Sequence, residues 1–265
     1  MKQILKKALY RIFKTIYIYQ PEKYHIFSNL IKSVQTFTLT NKKGKEYKFN
    51  IFNNYDYSFF KNFYRKEKDT SEWILSIPEG SIFFDIGANI GIYTIMAALN
   101  CDNVKIISFE PVAKNYYALI KNISNLKPLD ICAYCLTLTN HCNYKFLNQW
   151  GAAFGGNEYL PKNEKVDFPV DNNLYFHGSI NITLDSFIES TKIFPTHIKI
   201  DIDGNEKELI EGAKKTLQNR KLKSIIIEIS NFENTNFIKH TIEEFGFKGK
   251  ISNKSNGNHI FERID

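Results

Sequence analysis

The hydrophobic pattern divides the chain near Ser81. In the first stretch Ile4, Leu5, Ala8, Leu9, Ile12, Phe13 and Ile16 share one half of a helical wheel, while Lys6, Lys7, Arg11 and Lys14 share the other. That spacing predicts an amphipathic helix. Tyr24 to Val34 predicts a second helical piece. From Gln35 to Asn50 the period drops to two, with Phe37 and Leu39 before Lys42-Lys43-Gly44-Lys45 and Tyr47, Phe49 and Ile51 after it. This is the pattern of a hairpin with a glycine turn. Thr70 or Ser71 is placed to cap a helix from Glu72 to Ile77, and Pro78-Glu79-Gly80 to end it.

From Ser81 onward short apolar runs alternate with helix-period segments, which predicts a mostly parallel sheet covered on both faces. Strands are expected at 82–86, 104–109, 130–138, 197–201 and 223–230, with helices at 90–99, 113–124, 185–191, 205–217 and 233–245. A terminal pair near 247–252 and 258–263 turns at Asn253-Lys254-Ser255-Asn256-Gly257. Between Thr139 and Ile180 the alternation fails. Trp150-Gly151-Ala152-Ala153-Phe154-Gly155-Gly156 and extended pieces such as Val166 to Val170 predict an insert beside the active-site edge, either a specificity lid or an ordinary surface hairpin. The expected organisation is an N-terminal cover, residues 1–80, and a catalytic domain, residues 81–265, with the insert at 139–180.

The candidate chemistry begins at the first core strand. Ile82-Phe83-Phe84 runs into Asp85-Ile86-Gly87-Ala88-Asn89-Ile90-Gly91, then into the helical Ile92-Tyr93-Thr94-Ile95-Met96. This predicts a tight turn with the free N–H groups of a helix start facing a crevice. No lysine follows Gly87 as a phosphate-binding P-loop requires, and Asn89 stands where a dinucleotide fold wants its middle glycine. An acid at the strand end repels pyrophosphate but suits a ligand that carries a cation, such as S-adenosylmethionine. The next strand, Val104 to Phe109, ends in Glu110-Pro111, about 25 residues beyond Asp85. A carboxylate there can accept hydrogen bonds from the ribose hydroxyls of an adenosine.

These residues resemble the FkbM-type methyltransferases. The resemblance is carried by Phe84-Asp85-Ile86-Gly87-Ala88-Asn89-Ile90-Gly91, Phe109-Glu110-Pro111, Ile182-Thr183-Leu184-Asp185, Ile198-Lys199-Ile200-Asp201-Ile202-Asp203-Gly204-Asn205-Glu206 and Leu209-Ile210-Glu211-Gly212-Ala213. It implies the class I methyltransferase fold: a Rossmann-like seven-stranded mostly parallel sheet with one antiparallel strand, helices on both faces, and here an N-terminal helical and hairpin extension. It also implies S-adenosylmethionine as donor and oxygen as the methylated atom, commonly on a sugar or small metabolite. The fourth block departs from the family, which usually has Glu and His where this chain has Asp203 and Asn205.

The donor is therefore expected against Asp85, Gly87, Ala88, Asn89, Gly91, Tyr93, Thr94, Glu110 and Pro111. The strands are predicted to end in four acids on one rim, Asp85, Glu110, Asp201 and Glu228. Asp201 and Asp203 are the candidate catalytic pair, Asp201 orienting donor or acceptor and Asp203 acting as base or aligning the hydroxyl, with Glu206 and Glu228 in reserve. A divalent cation between Asp201 and Asp203 is the less favoured alternative, since hydrogen bonds can occupy both acids, and no metal site is assigned. His197 is expected to be structural. His177, in the insert, is the remaining histidine worth mutating.

Composition changes this picture little. The chain has 265 residues, is 43% hydrophobic and carries a formal charge of +7, without a block of five or six basic residues. A generally basic, solvated surface is favoured over a polyanion site. Cys101, Cys132, Cys135 and Cys142 fit a reducing cytoplasm. A strand through Ile131 to Leu138 would split Cys132 and Cys135 between two faces, so they are read as buried or incidental thiols rather than zinc ligands. No apolar run is long enough to span a bilayer. The expected setting is cytoplasmic, with peripheral membrane contact through residues 1–19 as one alternative. The expected acceptor is a hydroxyl of a glycan or its precursor, with Asn148, Gln149, Trp150 and Asn157 offering polar and stacking groups. The rivals are an RNA or other small-metabolite methyltransferase, a membrane-associated non-enzymatic binding module and, last, an NAD-dependent oxidoreductase.

Overall fold

The structure, a computed structural model, describes residues 36–41, 44, 46–50, 67–124, 126, 130–149, 157–159, 175–202, 204–229, 232–250 and 258–264. The helices expected over 1–19 and 24–34, the glycine-rich piece at 151–156, Val166 to Val170 and the turn at 253–257 lie outside these residues. In chain order come β1 (Thr36–Thr40), β2 (Glu46–Asn50), α1 (Lys68–Leu75), β3 (Ile82–Ile86), α2 (Ile92–Asn100), β4 (Lys105–Phe109), α3 (Ala113–Ile123) and β5 (Ile131–Tyr134). Next are β6 (Thr137–Leu138), β7 (Asn143–Gln149), β8 (Asn157–Tyr159), β9 (Tyr175–Ile182), α4 (Leu184–Thr191) and β10 (His197–Ile200). The chain ends with α5 (Glu206–Glu211), α6 (Lys214–Gln218), β11 (Ser224–Glu228), α7 (Phe232–Glu244), β12 (Phe247–Lys250) and β13 (Asn258–Arg263).

A seven-stranded sheet in the order β12-β13-β11-β10-β3-β4-β5 organises the molecule. β5, β4, β3, β10 and β11 are parallel, and β13 runs antiparallel between β11 and β12. The strands from β3 to β5 step toward one edge, and β10 then pairs with the other side of β3. The resulting switch point lies between β3 and β10, where an open α/β sheet has its ligand crevice. The expected fold class is therefore the observed one.

The central strands are apolar on both faces because both are covered. Phe83, Ile106 and Ile226 pack with Trp73 of α1, Ile95 and Met96 of α2, and Tyr47 and Phe49 of β2. On the opposite face Phe84, Phe109, Ile198, Ile225 and Ile227 pack with Phe187 of α4 and Ile238 and Ile242 of α7. Three layers follow from this two-residue alternation. The β1–β2 hairpin is tied to the catalytic half through Asn122 of α3. The Tyr47 hydroxyl donates to the Asn122 carbonyl. Asn50 donates through its N–H (2.9 Å) and Nδ2 (3.0 Å) to Asn122 Oδ1, and Asn122 Nδ2 donates to the Ile90 carbonyl at 2.9 Å.

Three sequence expectations are corrected. The helix placed at 72–77 begins at Lys68, and Thr70 and Ser71 are buried inside it instead of capping it. The strand read through 130–138 breaks after Tyr134, because Thr137–Leu138 leaves to pair with β9 in a second sheet, β6-β9-β7-β8. The helix read over 205–217 breaks at Gly212, where a Cβ would lie 2.0 Å from the Thr139 carbonyl oxygen. The four cysteines are free thiols, Cys101 buried and Cys132, Cys135 and Cys142 exposed, in keeping with incidental cysteines.

Asp185, part of the Leu-Asp block, has a structural task. Its Oδ1 accepts from the N–H (2.8 Å) and hydroxyl (2.6 Å) of Thr216, and its Oδ2 from the N–H of Lys215 at 2.9 Å. It therefore caps α6 from another helix, satisfying donors that a helix start leaves open. Asp185→Ala is expected to cost about 1–2 kcal/mol in urea unfolding while leaving donor affinity unchanged.

Candidate active site

The crevice turn is built by two close approaches. Gly87 has φ +79°, and a Cβ there would sit 1.8 Å from the Asp201 carbonyl oxygen. Gly91, φ +93°, precedes α2 in a left-handed conformation, and a Cβ there would lie 2.6 Å from Leu119 Cδ1. Asn89 also takes a positive φ, 50°, which asparagine tolerates better than most residues. The helix begins at Ile92 rather than at Ile90.

The turn's amides correct a second expectation, that free N–H groups face the crevice. Gly87 and Ala88 both donate to the Phe109 carbonyl at 2.9 Å, Asn89 donates to Glu110 Oε2 at 2.9 Å, and Gly91 donates to the Ala88 carbonyl at 2.8 Å. These four donors are spent inside the protein and are not open to a phosphate.

Glu110 stands at the end of β4 beside this turn. Its Oε1 accepts from the Val112 N–H (3.0 Å) and from Asn115 Nδ2 (3.3 Å). Burial pushes the Glu110 carboxyl up to about 7, against these hydrogen bonds and with a smaller push from Asp85. Pro111, next along, is half-buried, and its carbonyl accepts from Cys135 Sγ at 3.7 Å.

Asp85, Tyr93 and Thr94 gather beneath the turn instead of lining its open side. Asp85 is fully buried, and its Oδ2 accepts from the Thr94 hydroxyl at 2.6 Å. Thr94 Oγ1 lies 2.7 Å from Ser108 Oγ. Asp85 Oδ1 faces the ammonium of Lys199 at 3.7 Å, and the same ammonium donates to Asp201 Oδ2 at 3.1 Å and sits 4.3 Å above the Tyr93 ring. Strand register explains the grouping, since Lys199, Asp85 and Ser108 are side-by-side partners on β10, β3 and β4. Burial pushes the Asp85 carboxyl up, opposed by Lys199 and Thr94. For Lys199 burial pulls downward, but Asp201 and Asp85 outweigh it and hold the ammonium above its ordinary value. The cation that the sequence assigned to Asp85 from a ligand is thus supplied, at Asp85 itself, by Lys199.

Asp201 follows β10 and is the member of this cluster that reaches solvent, its side chain 32% exposed. Asp203 lies outside the described residues. Glu228 ends β11, and Glu206, buried at the start of α5, accepts from the Gly204 N–H at 2.7 Å. His197 opens β10, buried against Trp73, its Nδ1 2.9 Å from Thr196 Oγ1, and burial lowers its pKa to about 4. Lys199 escaped the sequence reading. Its signal was a charged residue between two isoleucines of a central strand, which demands a buried counter-charge.

The model of the methyltransferase FkbM domain matches residues 85–249, more than half of the chain. The chain belongs to the FkbM methyltransferase family. Its methyl donor is accordingly S-adenosylmethionine, and it is an S-adenosylmethionine-dependent methyltransferase. Comparison with curated proteins finds no match. Among solved structures, a precorrin-6y C5,15-methyltransferase from Geobacter metallireducens is similar over 73% of this chain and 84% of its own, with 13% identity and a TM-score of 0.44. An rRNA methylase from Streptococcus thermophilus is similar over 76% of this chain and 98% of its own, with 12% identity and a TM-score of 0.47.

The residues present fit this donor. Asp201 is the carboxylate of the cluster that reaches solvent, its side chain 32% exposed, so it is the one that a cationic ligand can meet. The Gly87, Ala88, Asn89 and Gly91 amides are already bonded within the protein. Among the described residues no three His, Cys, Asp or Glu side chains are grouped to hold a metal, and no helix is long and apolar enough to cross a membrane.

Proposed function

We propose that this FkbM methyltransferase methylates a hydroxyl of a sugar, on a glycan or on its nucleotide-linked or lipid-linked precursor. The observation that supports this acceptor is the second sheet. β6 starts after only two intervening residues from the end of β5, on the edge of the main sheet where ligands bind, and β9 returns directly into α4. Its described part presents Tyr144 and its register partner Ile180 with 80% and 54% exposure on one face, while the pairs Thr137–Ser179 (2.7 Å) and Asn181–Asn143 (2.9 Å) lie on the other face and hold the sheet together. An exposed aromatic ring suits the apolar face of a sugar, on which it can stack.

S-adenosylmethionine supplies a methyl group activated on a sulfonium. In this reading Glu110 accepts the ribose hydroxyls, Gly87 to Gly91 form the wall against the nucleoside, and Asp201 orients the donor. Asp203 would take the acceptor hydroxyl's proton as the oxygen attacks in line, a task of positioning more than of covalent chemistry. The test is transfer of radiolabelled methyl into fractionated glycans, lipids and RNA of the cell, with and without chelator. Label in the glycan or glycolipid fraction is expected, and label confined to RNA would overturn the acceptor.

The Glu110 assignment predicts a pH dependence. Its carboxyl titrates at about 7 in the fold against 4.5 ordinarily, so its contribution to stability is full below 4.5 and is lost as pH rises through about 7. Hydroxyl donors require the ionised form. Donor affinity is therefore expected to rise, at most about tenfold per pH unit, from pH 5 to 7 and then level off. Calorimetric titration in buffers of different ionisation heat should show a released proton, and Glu110→Gln should remove it.

A further inference from the structure

Lys199 takes no part in that reading, yet its ammonium joins both carboxylates of the crevice floor. A buried ammonium costs several kcal/mol of desolvation, and an apolar residue in a well-packed central strand is commonly as stable or more so. Stability alone therefore gives little reason for a lysine between Ile198 and Ile200. The geometry offers another. Lys199 and Asp201 are two apart, so they project from the same side of the chain at the end of β10. The Asp201 backbone is fixed by the Gly87 contact and by its N–H bond to the Ile86 carbonyl at 3.0 Å. Its side chain is held by Lys199 Nζ on Oδ2, and Asp85 anchors that ammonium from the neighbouring strand. The lysine side chain is 4% exposed and the aspartate 32%, so the contact ties Oδ2 to a buried group while the carboxylate as a whole keeps access to solvent.

We propose that Lys199 is a positioning residue that aims Asp201 at the cationic aminoacyl end of the methyl donor. The proposal rests on the donor assignment and adds to it a residue that does not itself meet the ligand. Asp201 is the one carboxylate of the two with access to solvent, and so the one that a ligand can meet. An aspartate free to rotate at this point would meet the same cation with lower probability, since orientation would have to be fixed at the moment of binding.

Three ligands separate the effects in equilibrium titrations of the whole chain: S-adenosylmethionine, S-adenosylhomocysteine, which keeps the aminoacyl ammonium, and methylthioadenosine, which lacks it. Asp201→Asn is expected to weaken the first two about tenfold and the third less than about twofold. Lys199→Met should reproduce this selective loss, Lys199→Arg should restore most of it, and Lys199→Met in the Asp201→Asn background should add little, as coupled residues do. Melting temperature and circular dichroism, read in parallel, report folding. If Lys199→Met does not fold, Lys199→Met with Asp85→Asn removes both charges of the buried pair, and the same selective loss is expected. Equal weakening of all three ligands, or unchanged ratios in a folded variant, would overturn the positioning role while leaving the donor assignment intact. A wild-type chain that binds none of the three would overturn the donor assignment itself.

Discussion

Gly87→Ala is expected to abolish donor binding and to cost the fold on the order of 3 kcal/mol or more. The added Cβ would lie 1.8 Å from the Asp201 carbonyl oxygen, a backbone atom held in the middle of the sheet. It cannot move without separating β3 from β10. The positive φ of +79° adds strain of its own for any residue with a side chain. Gly91→Ala provides the contrast. Its nearest obstacle is Leu119 Cδ1 at 2.6 Å, the tip of a side chain that can rotate away, so a milder loss is expected. Urea denaturation gives the stability difference and calorimetry with S-adenosylmethionine gives the affinity. Wild-type affinity in Gly87→Ala would show that the close approach of the two strands is unimportant for the donor.

The second large effect is expected at Glu110. Glu110→Ala removes an acceptor shared by the Asn89 and Val112 N–H groups and Asn115 Nδ2, all in a buried setting. Each donor left without a partner costs about 1–3 kcal/mol, so stability should fall by roughly 2–5 kcal/mol. Donor affinity should fall more than about a hundredfold, because two charge-assisted bonds to the ribose are lost and the Asn89 turn loses its anchor. Glu110→Gln separates the two effects. It retains shape and one of the two acceptor oxygens, so only part of the stability should return while the affinity remains low. If both variants bound the donor normally, Glu110 would be a purely structural acid.

The first half of the sheet was legible because its strands are short apolar runs bounded by turn residues, and because Gly87 and Gly91 mark positions of positive φ. The four acids at the strand ends were legible for the same reason: once the strands are placed, their ends are placed. Their separate environments were not. Whether Asp85 looks into the crevice or under it depends on register with Lys199 and Ser108, residues more than a hundred and about twenty positions away. The breaks at Cys135-Leu136 and at Gly212 escaped for a related reason. Local propensity continues through both, and they exist because β6 pairs with the distant β9 and because Thr139 presses against Gly212.

The stretch that identifies the family, residues 85–249, is not a stretch that could fold alone. It starts inside β3 and stops before β13, the strand that sits between β11 and β12. It also lacks Trp73, whose indole N–H donates to Ser224 on β11, and Phe49, which is wholly buried. A fragment cut at those limits would have a gap in its sheet and an uncovered face over α2. The part of the chain that carries the inherited signature and the part that must be inherited together to make a stable protein therefore have different boundaries. Domain shuffling within this family would have to respect the second.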